Sequence, residues 1–275
     1  MVKAFHSVLM LLGTLLALYL AVLLLLWLRQ EWLIFLPERL APQTPLARDA
    51  DVHEVVVPVA GAQLSALHLR LPKPRGLVFF LHGNAGSLAS WFVATERYRA
   101  ANYDLFMLDY RGYGKSSGRI QSEEQLRADV RLAWDQVAPG YRDKQVVIYG
   151  RSLGTALAAR LAADLSQDGA PPALTVLVSS YISMLAMAAQ HYPFVPQALL
   201  RYPLRTDADV PRIRGPLLLL HGEMDALIPP SHSDALAEVA RRGGAQVKVI
   251  KIKGAGHNDL QESEDYWMAF ISALP

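Results

Sequence analysis

The chain has no cysteine among its 275 residues. That excludes a disulfide scaffold, a thiol nucleophile and a cysteine-ligated metal. It leaves the redox compartment open. Charge is also sparse: 19% of residues are Asp, Glu, Lys or Arg, and 27 basic against 25 acidic residues give a net +2. This excess is scattered, with no basic cluster along the chain, which argues against nucleic acid as a partner. There is no internal repeat, no Gly/Ser tract and no metal-ligand spacing, so neither a metal nor another cofactor is expected. Apolar residues, by contrast, are plentiful: 52% of the chain, with mean hydropathy +0.18. This rules out a disordered chain and allows one large domain or two small ones.

One segment carries much of that hydropathy. Val8–Leu28 is 21 residues without a charge. At 1.5 Å per residue it spans about 30 Å, the thickness of a bilayer's hydrocarbon core. Lys3 precedes it, Arg29 follows it, and Trp27 and Trp32 stand where interfacial aromatics stand. A cleaved signal peptide has a shorter apolar core ending in small residues, whereas Leu26, Trp27 and Leu28 are bulky. A buried soluble helix would show a polar face. Residues 1–30 are therefore read as an uncleaved transmembrane anchor, so the lipid bilayer is a partner. The basic residues on its two sides do not decide orientation. A short tail, one span and a large domain read as a signal anchor, which sends the large domain across the membrane. Trp32–Leu36 is a second apolar run, too short to span and ended by Pro37. It is expected at the interface or packed on the following domain. Residues 31–51 are thus an interfacial segment and a linker, with Pro42 and Pro45 in the linker.

Residues 52–275 read as a single catalytic domain. Short apolar runs alternate there with helical patterns. The strands are expected at His53–Val59, Gln63–Leu71, Gly76–Leu81, Tyr103–Asp109, Gln145–Tyr149, Leu174–Ser179, Pro216–Leu220 and Gln246–Ile252. The helices are expected at Leu88–Ala101, Ser122–Val137, Leu153–Leu165, Ser231–Arg241 and Asp259–Leu274. The alternation predicts an α/β fold, a mainly parallel eight-stranded sheet with helices on both faces. The first two strands have no helix between them and should form an antiparallel hairpin. Residues 181–214 break the rhythm with four prolines. They read either as a lid or substrate-binding insertion or as a plain connecting helix.

Gly150-Arg151-Ser152-Leu153-Gly154 lies between a strand and a helix, the context of a nucleophile elbow. The tight turn strains the serine backbone and lifts its hydroxyl to the carboxyl end of the sheet, beside a helix N-terminus that favours negative charge. Alone this pentad is a weak signal, arising by chance in about one chain in ten. Three further motifs support it. Leu81-His82-Gly83-Asn84-Ala85-Gly86 follows the third strand, and its small residues let backbone N–H groups turn inward as an oxyanion hole. The two donors are assigned to the N–H groups of Asn84 and Leu153. Alternatively, this stretch is a glycine turn with a structural His82. Asp225 follows the strand Pro216–Leu220, and His257 follows the last strand between glycines and a helix start. The order Ser152, Asp225, His257 predicts a triad: nucleophile, orienting acid and general base. Glu223 and Asp259 are the runner-up acids; Glu223 sits too near the strand end, and Asp259 suits a local cap. His6, His53, His68, His191 and His232 lack a matching site, and His221 is read as packing at the sheet edge. Asp109–Ser116 is glycine-rich but lacks phosphate-loop spacing, so it reads as a turn supporting the elbow.

His82–Gly86, Asp109–Ser117, Gly150–Ala156, His221–Pro229 and Gly256–Asp259 together resemble the α/β-hydrolase superfamily. Within it they are similar to its membrane-anchored, bud-emergence-type branch, in which a hydrophobic segment is followed at once by a hydrophobic-Pro motif, here Leu33–Pro37. The resemblance implies the fold and the triad, and covers essentially the whole chain. It implies a hydrolase whose relatives include depalmitoylases, lysophospholipid hydrolases and proteins described as peptidases. The depalmitoylating members carry an N-terminal cysteine cluster, which this chain lacks. Its 20 Arg against 7 Lys point to a bacterial source, so the expected location is the inner membrane with the catalytic domain in the periplasm. The expected function is a membrane-anchored serine hydrolase acting on an ester or thioester, with a lipid-derived acyl substrate. A serine peptidase on the same triad is the alternative, and a non-catalytic membrane interaction module the third reading. An intact triad weighs against the last.

Overall fold

The computed structural model describes all residues, Met1–Pro275. Eight strands form the main sheet: β1 Val52–Val59, β2 Ala62–Leu69, β3 Gly76–Leu81, β4 Tyr103–Leu108, β5 Gln145–Arg151, β6 Leu174–Val178, β7 Pro216–Gly222 and β8 Gln246–Ile252. Their spatial order is β8-β7-β6-β5-β3-β4-β2-β1. β1 and β2 pair antiparallel, and β2 also runs antiparallel to β4; the remaining pairs are parallel. The order reverses between β3 and β5, and ligands of open α/β sheets bind outside the carboxyl ends of such strands.

The near-continuous apolar strands follow from burial on both faces. Alternate residues serve opposite cores. Leu77, Phe79 and Leu81 of β3 join Leu217 and Leu219 of β7 in one cluster. Val78 and Phe80 join Leu218 and Leu220 in the other. Helices Glu123–Val137, Gly154–Gln167 and Ser231–Arg242 cover the first face. Thr95–Ala101 and Glu264–Ile271 cover the second. Ser122 caps the helix Glu123–Val137 by accepting the Gln125 N–H at 3.1 Å, as a serine at an N-cap does.

Several boundaries differ from the sequence reading. The expected helix Leu88–Ala101 is two pieces, Leu88–Trp91 and Thr95–Ala101, because Ala94 adopts a left-handed φ of 54°. The last helix begins at Glu264 rather than Asp259, after a short 3-10 turn over Leu260–Glu262. β7 runs two residues beyond Leu220, to Gly222. Residues 41–51, read as a linker, are tied down: Glu54 accepts the Leu46 N–H at 2.9 Å, and Lys115 donates to the Thr44 carbonyl at 3.0 Å.

Before the sheet stands a continuous helix, Val2–Leu28, with no buried residue. Its 27 residues reach about 40 Å. Its most apolar stretch averages a hydropathy of 2.8, so by length and composition this one helix can cross a membrane. A second helix, Gln30–Ile34, follows at once. Ile34 and Phe35 are buried while Trp32, Leu33 and Leu36 are exposed, so the short apolar run divides between core packing and surface. Leu36–Pro37 then pairs in parallel with Ala85–Gly86. The segment that follows the apolar helix is thereby paired with the loop after β3.

Candidate active site

β5 ends at Arg151, and the chain turns into a helix at Gly154. Ser152, between them, is held at φ 50°, a left-handed conformation that costs a non-glycine residue about 1–3 kcal/mol. Its N–H donates to the Val178 carbonyl at 2.9 Å. Two glycines make the turn possible. A Cβ at Gly154 would lie 2.1 Å from the Leu81 carbonyl oxygen, and one at Gly150 would lie 2.5 Å from that of Gly154. Both obstacles are backbone, so the helix packs this close to β3 and β5 only with glycine there.

The structure brings Ser152, His257 and Asp225 together from three strand ends. The Ser152 hydroxyl donates to His257 Nε2 at 3.1 Å, and His257 Nδ1–H donates to Asp225 Oδ2 at 2.7 Å. A carboxylate only accepts, so this pattern fixes the imidazole with its proton on Nδ1 and its lone pair toward the serine. Asp225 is buried, and its other oxygen accepts the N–H groups of Leu227 at 3.0 Å and Ile228 at 2.8 Å. Burial pushes the Asp225 carboxyl up, but hydrogen bonds from His221, His257 and the Ile228 N–H outweigh it. They hold it well below the usual carboxylate range.

The runner-up acids are elsewhere. Glu223 is exposed. Asp259 accepts the Gly256 N–H at 2.6 Å, a local cap for the His257 turn. His221 is fully buried, with Nε2 2.8 Å from the Ile228 carbonyl and 3.3 Å from Asp225 Oδ2. The carbonyl requires a proton on Nε2, so Nδ1 accepts from Ser233 Oγ at 2.6 Å. His221 therefore braces the acid as well as packing at the sheet edge. Sequence reasoning also missed Arg151, buried behind the serine, whose guanidinium donates to the His257 carbonyl. It ties the loops after β5 and β8 together across 106 residues.

Neither Asn84 nor Leu153 donates its N–H to another group of the chain. His82 explains the aim of the first. Its Nδ1–H donates to the Gly83 carbonyl at 2.8 Å, and in a trans peptide the Asn84 N–H points the opposite way. Asp109 stands behind, its Oδ1 3.5 Å from His82 Nε2 and accepting the Leu88 N–H at 3.0 Å. Burial pushes the Asp109 carboxyl up. The loop after β4 thus supports the loop after β3.

Ser152, Leu153 and Asn84 open into a cavity of about 230 Å³. Of its 21 lining residues 15 are hydrophobic, and none is Asp or Glu. Its walls come from three places: Leu26, Trp27 and Leu33 at the end of the apolar helix and just past it, Met184, Met187 and Leu200 from the insertion, and Leu227 and Ile228 beside the acid. The insertion is a helix, Met184–His191, followed by a 3-10 turn at Gln197–Leu199 and a short helix at Thr206–Asp209. It leans along the apolar helix: Tyr19 donates to the Phe194 carbonyl at 2.8 Å, and Gln30 donates to that of Leu199 at 2.5 Å. His191, read from sequence as lacking a site, lines this cavity. His232 accepts the Ile182 N–H at 3.1 Å through Nδ1. His68 lies apart, bonded to Tyr141 at 2.8 Å, and burial followed by the Arg70 charge lowers it to about 4. No group of acidic, histidine or cysteine side chains has the arrangement of a metal site.

Residues 72–202 match the family model described as serine aminopeptidase, S33. The match takes in Ser152 and ends before Asp225 and His257. Alpha/beta hydrolase domain-containing protein 17B of Xenopus laevis is 31% identical over 84% of this chain and 78% of its own. The Homo sapiens protein of the same name is 30% identical over the same shares. Among solved structures, an α/β hydrolase from Vibrio vulnificus superimposes with a TM-score of 0.69 at 21% identity, over 82% of each chain. A Pyrococcus furiosus esterase does so with 0.67 at 18% identity, over 87% of this chain and 95% of its own.

Proposed function

Because this chain belongs to the α/β-hydrolase superfamily, we propose that it is a membrane-anchored serine hydrolase that cleaves acyl esters or thioesters of lipid origin. Ser152 is the nucleophile, His257 the general base and Asp225 the acid that fixes the imidazole. The serine oxygen attacks the acyl carbonyl as its proton passes to His257 Nε2. The N–H groups of Asn84 and Leu153 hold the oxyanion. His257 then gives the proton to the departing alcohol or thiol. Water, deprotonated by the same nitrogen, releases the acid from Ser152.

The observation that carries the substrate class is the shared wall: the cavity of Ser152 is closed on one side by the end of a helix long enough to span a bilayer. Tyr19, which holds the insertion at Phe194, lies nine residues before Leu28. That is about 14 Å into the apolar helix, near the middle of a hydrocarbon core. Phe194 is 84% exposed there. A lid placed so lets an acyl chain pass from the leaflet to Ser152 without crossing water. The matched family name favours a peptidase as the second reading. An aminopeptidase holds its substrate's ammonium against a carboxylate, and this cavity has none.

Turnover by the full-length chain should rise from acetyl to octanoyl or longer p-nitrophenyl esters, tenfold or more, with aminoacyl amides at background. Faster cleavage of the amides would overturn the ester reading. The catalytic domain is assigned to the periplasmic side of a bacterial inner membrane, supported by a single span running directly into a large domain. The absence of native cysteine makes this easy to read. Ser272→Cys, at an exposed site, should react with an impermeant maleimide in spheroplasts. Protection until lysis would reverse the assignment.

A further inference from the structure

The short helix Gln30–Ile34 contributes to two openings. One is the cavity of Ser152. The other is a broader groove of about 1080 Å³ bordered by Leu28, Trp32, Leu36 and Pro37. Its polar lining is dominated by five arginines, Arg29, Arg39, Arg111, Arg119 and Arg201, against a single carboxylate, Glu31. Two of the five are neutralised: Arg111 is buried against Asp129 at 2.5 Å, and Arg201 pairs with Glu31 at 2.5 Å. Arg29, Arg39 and Arg119 are exposed, and none has a carboxylate oxygen within 4.0 Å. These three are 10 and 80 residues apart in sequence, which is why composition shows no basic cluster.

Three uncompensated guanidinium groups around one groove repel each other and attract an anion. The planar fork of arginine suits phosphate oxygens. The position of the groove selects the source of that phosphate. Leu28, on its rim, is the last residue of the apolar helix, and Arg29 follows directly. The Arg29 guanidinium lies 4.6 Å over the Trp32 ring, and Trp32 is 70% exposed. An exposed indole beside an arginine at the end of a span belongs at headgroup depth. Leu36 and Pro37 give the rim an apolar side that free phosphate would leave unused.

We propose that this groove binds the phosphate of an anionic phospholipid headgroup through Arg29, Arg39 and Arg119. The bound lipid holds the domain against the leaflet, so that the Ser152 cavity faces its acyl chains. The inference rests on the anchor reading of Val2–Leu28, and its test does not use hydrolysis. Full-length protein in dodecyl maltoside micelles is titrated with dioleoylphosphatidylglycerol, dioleoylphosphatidylcholine or inorganic phosphate, and the melting temperature is followed. Phosphatidylglycerol should raise it by several degrees, with the rise suppressed by 0.5 M salt; the other two should leave it unchanged. The triple variant Arg29→Gln/Arg39→Gln/Arg119→Gln should need at least tenfold more phosphatidylglycerol for the same rise while melting like wild type without lipid. If the triple variant fails to fold, Arg119→Gln alone should need about threefold more. An equal rise with phosphatidylcholine, an equal rise with inorganic phosphate, or unchanged lipid response in the folded variants would each overturn the proposal. An unmutated chain that does not respond to phosphatidylglycerol but turns over ester counts against the groove alone. Lost turnover with intact lipid response counts against the hydrolase reading alone.

Discussion

Asp225→Asn should lower turnover on a short acyl ester by about four orders of magnitude, the scale of a wrong-tautomer substitution. The reason lies in what surrounds the carboxylate. One oxygen accepts the N–H groups of Leu227 and Ile228, and the other accepts His257 Nδ1–H. An asparagine has one acceptor oxygen and one donor nitrogen. Two backbone donors cannot face an NH2 group, so they take the oxygen and turn the nitrogen toward His257. The imidazole must then accept at Nδ1, which moves its proton to Nε2. That nitrogen no longer accepts the Ser152 proton. Glu223→Gln and Asp259→Asn should each cost less than tenfold, since neither side chain touches His257. Stopped-flow or steady-state turnover of the three variants, with melting temperatures, makes the comparison. A collapse in Glu223→Gln at unchanged stability, with Asp225→Asn near wild type, would reassign the acid.

Ser152→Ala should lose about six orders of magnitude in kcat, as removal of a triad serine does elsewhere. The loss is chemical, because a hydrogen replaces the hydroxyl and no volume is added at this buried site. Residues that act as one unit are not additive. The double variant Ser152→Ala/Asp225→Asn should therefore be no slower than Ser152→Ala alone. A further hundredfold loss in the double variant would mean that Asp225 acts on another nucleophile.

The inner strands were legible because they are buried on both faces, whereas the edge strand Gln246–Ile252, half-exposed, shows itself by Val and Ile between its lysines. Gly76–Leu81 and Gln246–Ile252 have the bounds that the apolar runs predict, and the hairpin of β1 and β2 follows from the missing helix between them. The site residues were legible because each follows a strand, and the chain order orders the strand ends. What was not legible depends on approach between distant residues. Nothing local to Arg151 marks it as the tie to the His257 carbonyl. His221 reads as an edge residue until the loop carrying Asp225 folds back over it. Ala94 carries no glycine signal, yet its left-handed turn breaks a helical pattern. The pairing of Leu36–Pro37 with Ala85–Gly86 joins the segment after the apolar helix to the loop that carries Asn84, a contact that no periodicity encodes. The same holds for the cavity, whose wall combines Trp27 with Met184 and Leu227.

The central claim is that Ser152 is the nucleophile of an acyl-transfer enzyme. A fluorophosphonate probe applied to the full-length protein in native membranes, followed by peptide mapping, tests it most directly. The account predicts one adduct, on Ser152, absent from heat-denatured protein and from Ser152→Ala. Labelling of Ser152→Ala at full strength, or an adduct on another residue of the native chain, would contradict it.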